Sequence, residues 1–379
     1  MSSDGSSSQS TTKKPWLAFI DNEFDIEGYS TRVELLIILR DTLLSIDEAA
    51  AKDGAHRIDS YYSDTFLSFD PLVKFAEDKG MAGFLNELWD AVFDLAELLP
   101  FDDPKQDRLV AVILELRKLP PKSFKSGKYV ILLSSVCYSA TYTAFWILPI
   151  SLLTWAGLQS NYLVYIDEPI FFMVQEDRWN GSFPHDFKGG PAALAEFRQR
   201  CIEWVNHQAF TARCIEAGID TGVLCKHPSH EIVNGLEKEY PLRVERDCKV
   251  MVAAQYILLA GRALHETFIT RELSMGGEEA ARWCLEKWPL WAERLKAIEE
   301  KGDCDPKVIA AVVEARRRLI ALHPDVFLDS VAKLTRKRLT VPHPDLSPGS
   351  ATKRARKRLN ALHPNLAPDF CGETERHYR

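Results

Sequence analysis

The sequence predicts an all-α protein, a layered multi-helix bundle flanked by a disordered N-terminus and a basic C-terminal tail. Three observations predict it. From Phe84 to Leu119 the apolar residues Leu85, Leu88, Val92, Leu95 and Leu99, then Leu109, Val112, Ile113 and Leu116, recur at three- and four-residue steps, which places them on one face of a helix. Cys248 to Leu273 is apolar almost all round, through Val250, Met251, Ala254, Tyr256, Ile257, Leu258, Ala260 and Gly261, as suits a helix in the centre of a fold. No alternating strand pattern of comparable strength occurs.

Taken in order, Met1 to Thr12 is Ser-rich and polar, so residues 1–15 read as disordered and unlike a signal peptide. Trp16, Phe19 and Ile20 then open a helical domain over residues 16–322. Ser30 is a cap for a helix burying Leu35, Leu36, Leu39, Leu43 and Ile46, with its end expected near Gly54. Tyr61 to Asp78, interrupted by Pro71, reads as two short helices with a bend. The two helices of Phe84 to Leu119 are joined at Pro100. Asp103 is placed to accept from the first free amides of the second, Pro104 fits its first turn, and Gln106 can bond back to the cap. So short a link predicts an antiparallel pair, each member burying one stripe and needing further layers.

From Tyr129 to Ile166 there is no charged residue, and this run forms the bulk of an insert-like segment at about residues 127–166. Its length would permit a membrane span. Ser134, Ser135, Ser139, Thr141, Thr143 and Pro149 favour buried core instead, although Lys122, Lys125 and Lys128 would suit a membrane boundary. Gly127, Lys128 and Tyr129 can also be encoded by codons holding an intron donor, which makes translated intron a third reading.

Asp177 to Gly190 reads as a loop, and Pro191 opens a long helix that Gly218 ends, with Leu194, Phe197, Cys201, Trp204, Val205, Ala209 and Ala212 at helical spacing. Glu278 to Lys301 is another helix, carrying Trp283, Trp288, Trp291 and Leu295, in which Pro289 predicts a break or kink. Val308 to Leu322 closes the body. The decad at Arg316, ending His-Pro-Asp, returns in the tail of residues 323–379 at Arg336 with the same ending and at Arg356 ending His-Pro-Asn, a 20-residue period too short to pack as a solenoid.

The formal net charge of -7 is unevenly spread. Pro306 to Arg379 holds 15 Lys and Arg against 7 Asp and Glu, so an acidic body carries a basic tail. Arg336, Lys337 and Arg338, with Lys353, Arg354, Arg356, Lys357 and Arg358, could serve nuclear import. Without interleaved aromatics, any nucleic-acid contact would be weak and sequence-indifferent. The 8 scattered Cys predict reduced thiols in an intracellular, cytoplasmic setting.

Chemistry-bearing patterns are few. Cys225, His227 and His230, with Cys214 or Cys201, supply the atoms of a zinc site at a non-standard spacing, and isolated residues are the favoured reading, so no metal or cofactor is expected. There is no nucleophile elbow, phosphate loop, dinucleotide fingerprint or His-Glu-x-x-His motif, and the residues point away from an enzyme. Asn206 and Arg213 are seven apart and share a helix face; with Trp204 and His207 they could line a polar pocket completed by Tyr256 or Trp283. The simpler reading is a buried hydrogen-bond network between helices.

Four stretches resemble a known family in order and spacing: Leu88-Trp89-Asp90 through Leu119-Pro120, Trp204 through Arg213, Ala253 through Gly261, and Arg282-Trp283 with Trp288 to Leu295. Together they resemble a largely fungal family filed as domain of unknown function 3632, over roughly Phe84 to Leu295. The resemblance implies a mostly helical intracellular protein without an established activity, some relatives being encoded near secondary-metabolite genes, and it supplies no catalytic residue. The resulting expectation is a non-catalytic scaffold or interaction protein with an unidentified protein partner. The alternatives are a small-molecule-binding or accessory protein of secondary metabolism, and a protein anchored in a membrane through residues 129–166.

Overall fold

A computed structural model describes residues 14–27, 30–66, 80–120, 123–125, 161–163, 165, 169–182, 189–219, 226–274, 278–322 and 324. The chain divides into Met1–Val326 and Phe327–Arg379; every residue described belongs to the first unit. The first 13 residues, most of the uncharged run and the repeat-bearing tail lie outside the described residues.

The first half is helical, as the apolar spacing predicts. It contains α1 (Pro15–Glu27), α2 (Thr31–Leu44), α3 (Ala50–Phe66), α4 (Gly80–Leu98), α5 (Lys105–Lys118) and α6 (Pro169–Ser182). Ser30 caps α2 as expected, its hydroxyl accepting from the Val33 amide at 3.2 Å. That helix ends at Leu44, ten residues before Gly54. Its end is closed by the Arg108 guanidinium, which donates to the Ser45 carbonyl. Asp47 then turns the chain by accepting from the Ala49 amide at 2.9 Å. Ile46, expected inside, is 98% exposed in this connection. Gly54 sits within α3, where a Cβ would come 2.4 Å from the Thr42 hydroxyl, so its role is to let α2 and α3 approach.

The α4–α5 link also differs in detail from its sequence reading. Asp103 accepts from the Lys105 amide at 2.9 Å, but Gln106 turns its side-chain amide toward α4, donating to the carbonyls of Ala96 and Leu99 at 2.9 Å each. It thereby satisfies acceptors left open at the end of α4. The two helices touch only lightly. Helix α5 lies chiefly on α3, while α4 packs on α2, α6 and α7. A short ribbon, β1 (Ser123–Lys125) antiparallel to β2 (Asn161–Leu163), adds a strand pair that the sequence pattern did not signal.

The second half contains α7 (Pro191–Glu216), α8 (Lys226–Glu237), α9 (Arg243–Ser274), α10 (Glu278–Lys301) and α11 (Pro306–Leu322). Asp177 to Ser182, expected to open a loop, are helical, because α6 runs on to Ser182; residues 183–188 of that expected loop lie outside the described residues. Pro191 opens α7 as predicted, and Gly218, at φ +70, closes it while the Ile219 amide donates back to the Cys214 carbonyl at 2.9 Å. Helix α9, about 48 Å long by its residue count, packs against α7, α8, α10 and α11. Pro289 does not break α10, which continues through it. Helix α7 contacts α4 and α5 on one side and α9 on the other, so it joins the two halves.

Helix α4 carries the densest charge network. Asp90, Asp94 and Glu97 follow one another at four and three residues, a stripe beside the buried Leu88, Val92 and Leu95. Arg178 of α6 reaches all three, at 2.9 Å from Asp90, 2.5 Å from Asp94 and 3.5 Å from Glu97. Arg32 of α2 pairs with Asp94 and, at 3.0 Å, with Glu23 of α1. His207 of α7 places Nδ1 3.4 Å from Glu97 Oε1. Burial acts to raise the Glu97 carboxyl, but contact with His207 and the charge of Arg178 outweigh it and hold the group below its usual range.

A carboxyl lowered in the folded state stabilises that state fully above its unfolded value and loses the contribution as pH falls through the folded one. The urea midpoint is therefore expected to fall more steeply from about pH 5 to about pH 3 in the wild type than in Glu97→Gln protein. Parallel unfolding curves at each pH check this, and equal slopes contradict it.

Candidate functional site

The site residues expected from sequence are described best from α7, which carries four of the six. Asn206 and Arg213 do share a face, and both reach the α4–α5 turn. Asn206 accepts from the Phe101 amide at 2.8 Å and donates to the Glu97 carbonyl at 2.7 Å. Arg213 donates to the Phe101 carbonyl at 2.8 Å and to Asp107 at 2.7 Å. One residue of the turn is thus held at both its backbone groups by two α7 side chains. His207, 1% exposed, lies between the rings of Phe93 and Trp204, with centroids at 5.4 and 5.8 Å.

Trp204 is buried, and Lys249 Nζ stands 5.6 Å from its ring centroid. The same Lys249 pairs with Glu231 at 3.1 Å, both buried. Burial acts to raise Glu231, while His230 and Lys249 lower it below the usual carboxylate range. Tyr256 is buried in α9 and donates to Gln208 of α7 at 2.5 Å; burial raises its phenol well above the ordinary value. The side chain of Trp283 lies outside the described residues. Of the five described candidates, Asn206 and Arg213 meet at Phe101 and His207 packs on Trp204, while Tyr256 bonds instead to Gln208.

The metal-type residues are spread. Cys225 lies outside the described residues. His227 stacks on Trp179 at 4.0 Å and sets Nε2 3.1 Å from Glu176, while His230 sits near Asn234, 3.0 Å from its amide nitrogen. Cys201, Cys214, Cys248 and Cys304 are buried and form no disulfide. Among the described residues no group of three or more His, Cys, Asp or Glu is placed to hold a metal ion.

A cavity of about 310 Å³ opens one turn earlier on α7, where α7 and α9 meet the start of α11. Its walls are Cys201, Ile202 and Val205 of α7, Val244, Cys248 and Met251 of α9, Val308 of α11 and Phe101 of the α4–α5 turn. Arg198, Asn206, Asp247, Asp305 and Lys307 supply its polar groups. The α11 side is fixed by Asp305, whose amide donates to Asp247 at 3.1 Å and whose carboxylate accepts from the Lys307 amide at 2.9 Å. Cys248 donates to the Cys201 carbonyl at 3.5 Å. Contact with Cys201 and burial push the Cys248 thiol well up, so this wall is apolar rather than nucleophilic at neutral pH.

Of the described binding candidates Asn206 lines this cavity, as does Cys201 from the metal-type set. Its other walls, on α9 and the flank of α7, hold residues that the sequence reading did not single out as a site. One signal was present: Ile202 follows the buried Cys201 and lies off the apolar stripe of α7, where it is 55% exposed. The approach of α11 carried none, because it depends on a contact across 58 residues.

Asn206→Ala would leave the Phe101 amide and the Glu97 carbonyl without this partner. It is expected to destabilise the fold by about 1–3 kcal/mol, read as a shift in the urea midpoint. An unchanged midpoint would contradict the structural role of this side chain.

Comparison with curated proteins and with solved structures finds no match. Among the described residues no helix is long and apolar enough to cross a membrane. A family model does match, over residues 89–295, which span the α4 stripe, all of α7 and α9, and much of α10. That is more than half of the chain, and it belongs to the family described as protein of unknown function DUF3632.

Proposed function

We propose that this protein binds one small, largely apolar molecule in the cavity between α7, α9 and the start of α11. The observation that carries the reading is the cavity itself, about 310 Å³ with apolar walls on three helices and a few polar groups. Ligand sites in proteins share that design, apolar lining for affinity and sparse polar groups for orientation, at volumes from about 300 Å³. The Cys248 thiol of the wall, pushed up by contact with Cys201 and by burial, suits binding rather than nucleophilic attack.

This reading takes the small-molecule alternative over the scaffold. It moves the pocket from the Trp204, His207 and Tyr256 cluster to the adjoining face of α7. An accessory role in secondary metabolism, implied by the family resemblance, is a compatible setting for such a protein. The basic runs at 336–338 and 353–358 support nuclear import as a separate proposal.

Neutral N-phenyl-1-naphthylamine, whose fluorescence rises in apolar surroundings, is a suitable probe. Saturable uptake is expected, weakened about tenfold or more, roughly 1.4 kcal/mol, in Ile202→Trp and Val205→Phe proteins that keep their helical circular dichroism. Absence of saturable uptake, or equal uptake by both folded variants, overturns the proposal.

A further inference from the structure

A second cavity, of about 300 Å³, lies on the other side of α9, between the end of α8 and the end of α10. It has a different chemistry. Leu236, Val250, Ala297 and Ile298 form an apolar wall. Around it stand four cations, Lys238, Arg246, Arg294 and Lys301, against two carboxylates, Glu239 and Asp303. The lining is net positive in a protein whose formal charge is -7, so its sign is not that of the chain as a whole.

The cations are not equally committed. Arg246 grips the connection after α10, donating to the Asp303 carboxylate at 2.9 Å and to its carbonyl at 3.0 Å. Lys301 pairs with the same carboxylate at 2.9 Å. Asp303 is therefore neutralised twice over, where Gly302, at φ +62, ends α10 with its amide on the Ile298 carbonyl. Among the described residues Lys238 and Arg294 make no close hydrogen bond or ion pair; Arg294 helps hold the nearby Glu237 carboxyl down by its charge, but that carboxylate is already taken by Lys287 at 2.5 Å and Trp291 at 2.8 Å, and the buried Nε of Arg246 has no acceptor among the described residues. Tyr240 adds a phenol that burial, aided by Glu231 and Glu245, pushes up to about 12, so it remains a proton donor at neutral pH.

We infer that this second cavity is a binding site for a small organic carboxylate, with its apolar tail on Leu236, Val250 and Ile298 and its charged head on Lys238 and Arg294. A carboxylate head accepts two or more N–H donors, which Lys238 and Arg294 can supply. A short hydrocarbon tail matches the wall, which has no polar group to offer it. Glu239 in the same lining repels a compact dianion such as phosphate more strongly than a monoanion.

The inference is independent of the neutral-ligand site, since the two cavities share no lining residue. Isothermal titration of the full chain with octanoate, with octylamine and with inorganic phosphate tests it. Octanoate is expected to bind saturably, and octylamine and phosphate at least tenfold more weakly. The exposed pair Lys238→Glu/Arg294→Glu should weaken octanoate tenfold or more, and the milder Lys238→Gln/Arg294→Gln should do so in the same direction with unchanged circular dichroism. Uptake of N-phenyl-1-naphthylamine should be the same in these variants as in the wild type. Octanoate binding that is absent, unaffected in the folded Gln pair, or matched by octylamine or phosphate overturns the inference, and none of these outcomes bears on the first cavity.

Discussion

The first half of this protein is held to α4 by three carboxylates on one helix. Asp90, Asp94 and Glu97 collect Arg178 from α6, Arg32 from α2 and His207 from α7. Arg32 carries the network on to Glu23 of α1. These groups are largely withdrawn from water, with side-chain exposures of 17% for Asp94 and 20% for Arg178, so their charges are costly unless paired. Burial opposes the charge on Arg178, yet Asp94, Glu97 and Asp90 more than restore it. Hydrophobic burial along Leu88, Val92 and Leu95 stabilises the layers without fixing direction. The carboxylates set which helix meets which flank of α4.

Helix α7 converts that first half into a larger fold. Asn206 and Arg213 clasp Phe101, and Gln106 of α5 closes the end of α4 beneath them. On the opposite side Gln208 accepts from Tyr256 and the Cys201 carbonyl from Cys248, tying α7 to α9. Hydrogen bonds between sparse polar residues thus fix the register of two apolar surfaces that would otherwise slide. The two cavities flank α9, where Arg246 and Asp247 hold the connection between α10 and α11 from adjacent positions. One neighbour lines the polar cavity and the other the apolar one.

Much of this was legible from residue order. The apolar steps of α4, α5, α7 and α9 and the caps at Ser30, Pro191 and Gly218 report local structure, which spacing encodes directly. The acidic stripe follows an i, i+4, i+7 pattern that the sequence reading, drawn to the apolar steps beside it, did not single out. Its partners were not legible, because Arg178 lies 84 residues from Asp94 and only packing brings them together. Gly54 was misread for a related reason: a glycine that admits a neighbouring helix looks in sequence like one that ends its own. The candidate residues and the cavity share α7 but lie largely on different faces of it. Asn206, His207 and Arg213 stand out as polar residues in an apolar run, and such residues are used here to bind the protein to itself, whereas the cavity is lined by ordinary apolar side chains.

A double-mutant cycle between Asp94 and Arg178 tests the role of the α4 stripe most directly. Unfolding free energies of Asp94→Asn, Arg178→Met and the double variant are compared with the wild type. If the stripe fastens α6 to α4, the cycle yields a favourable coupling of about 1–3 kcal/mol. Additive losses, with a coupling below about 0.5 kcal/mol, would show that apolar packing alone arranges these helices.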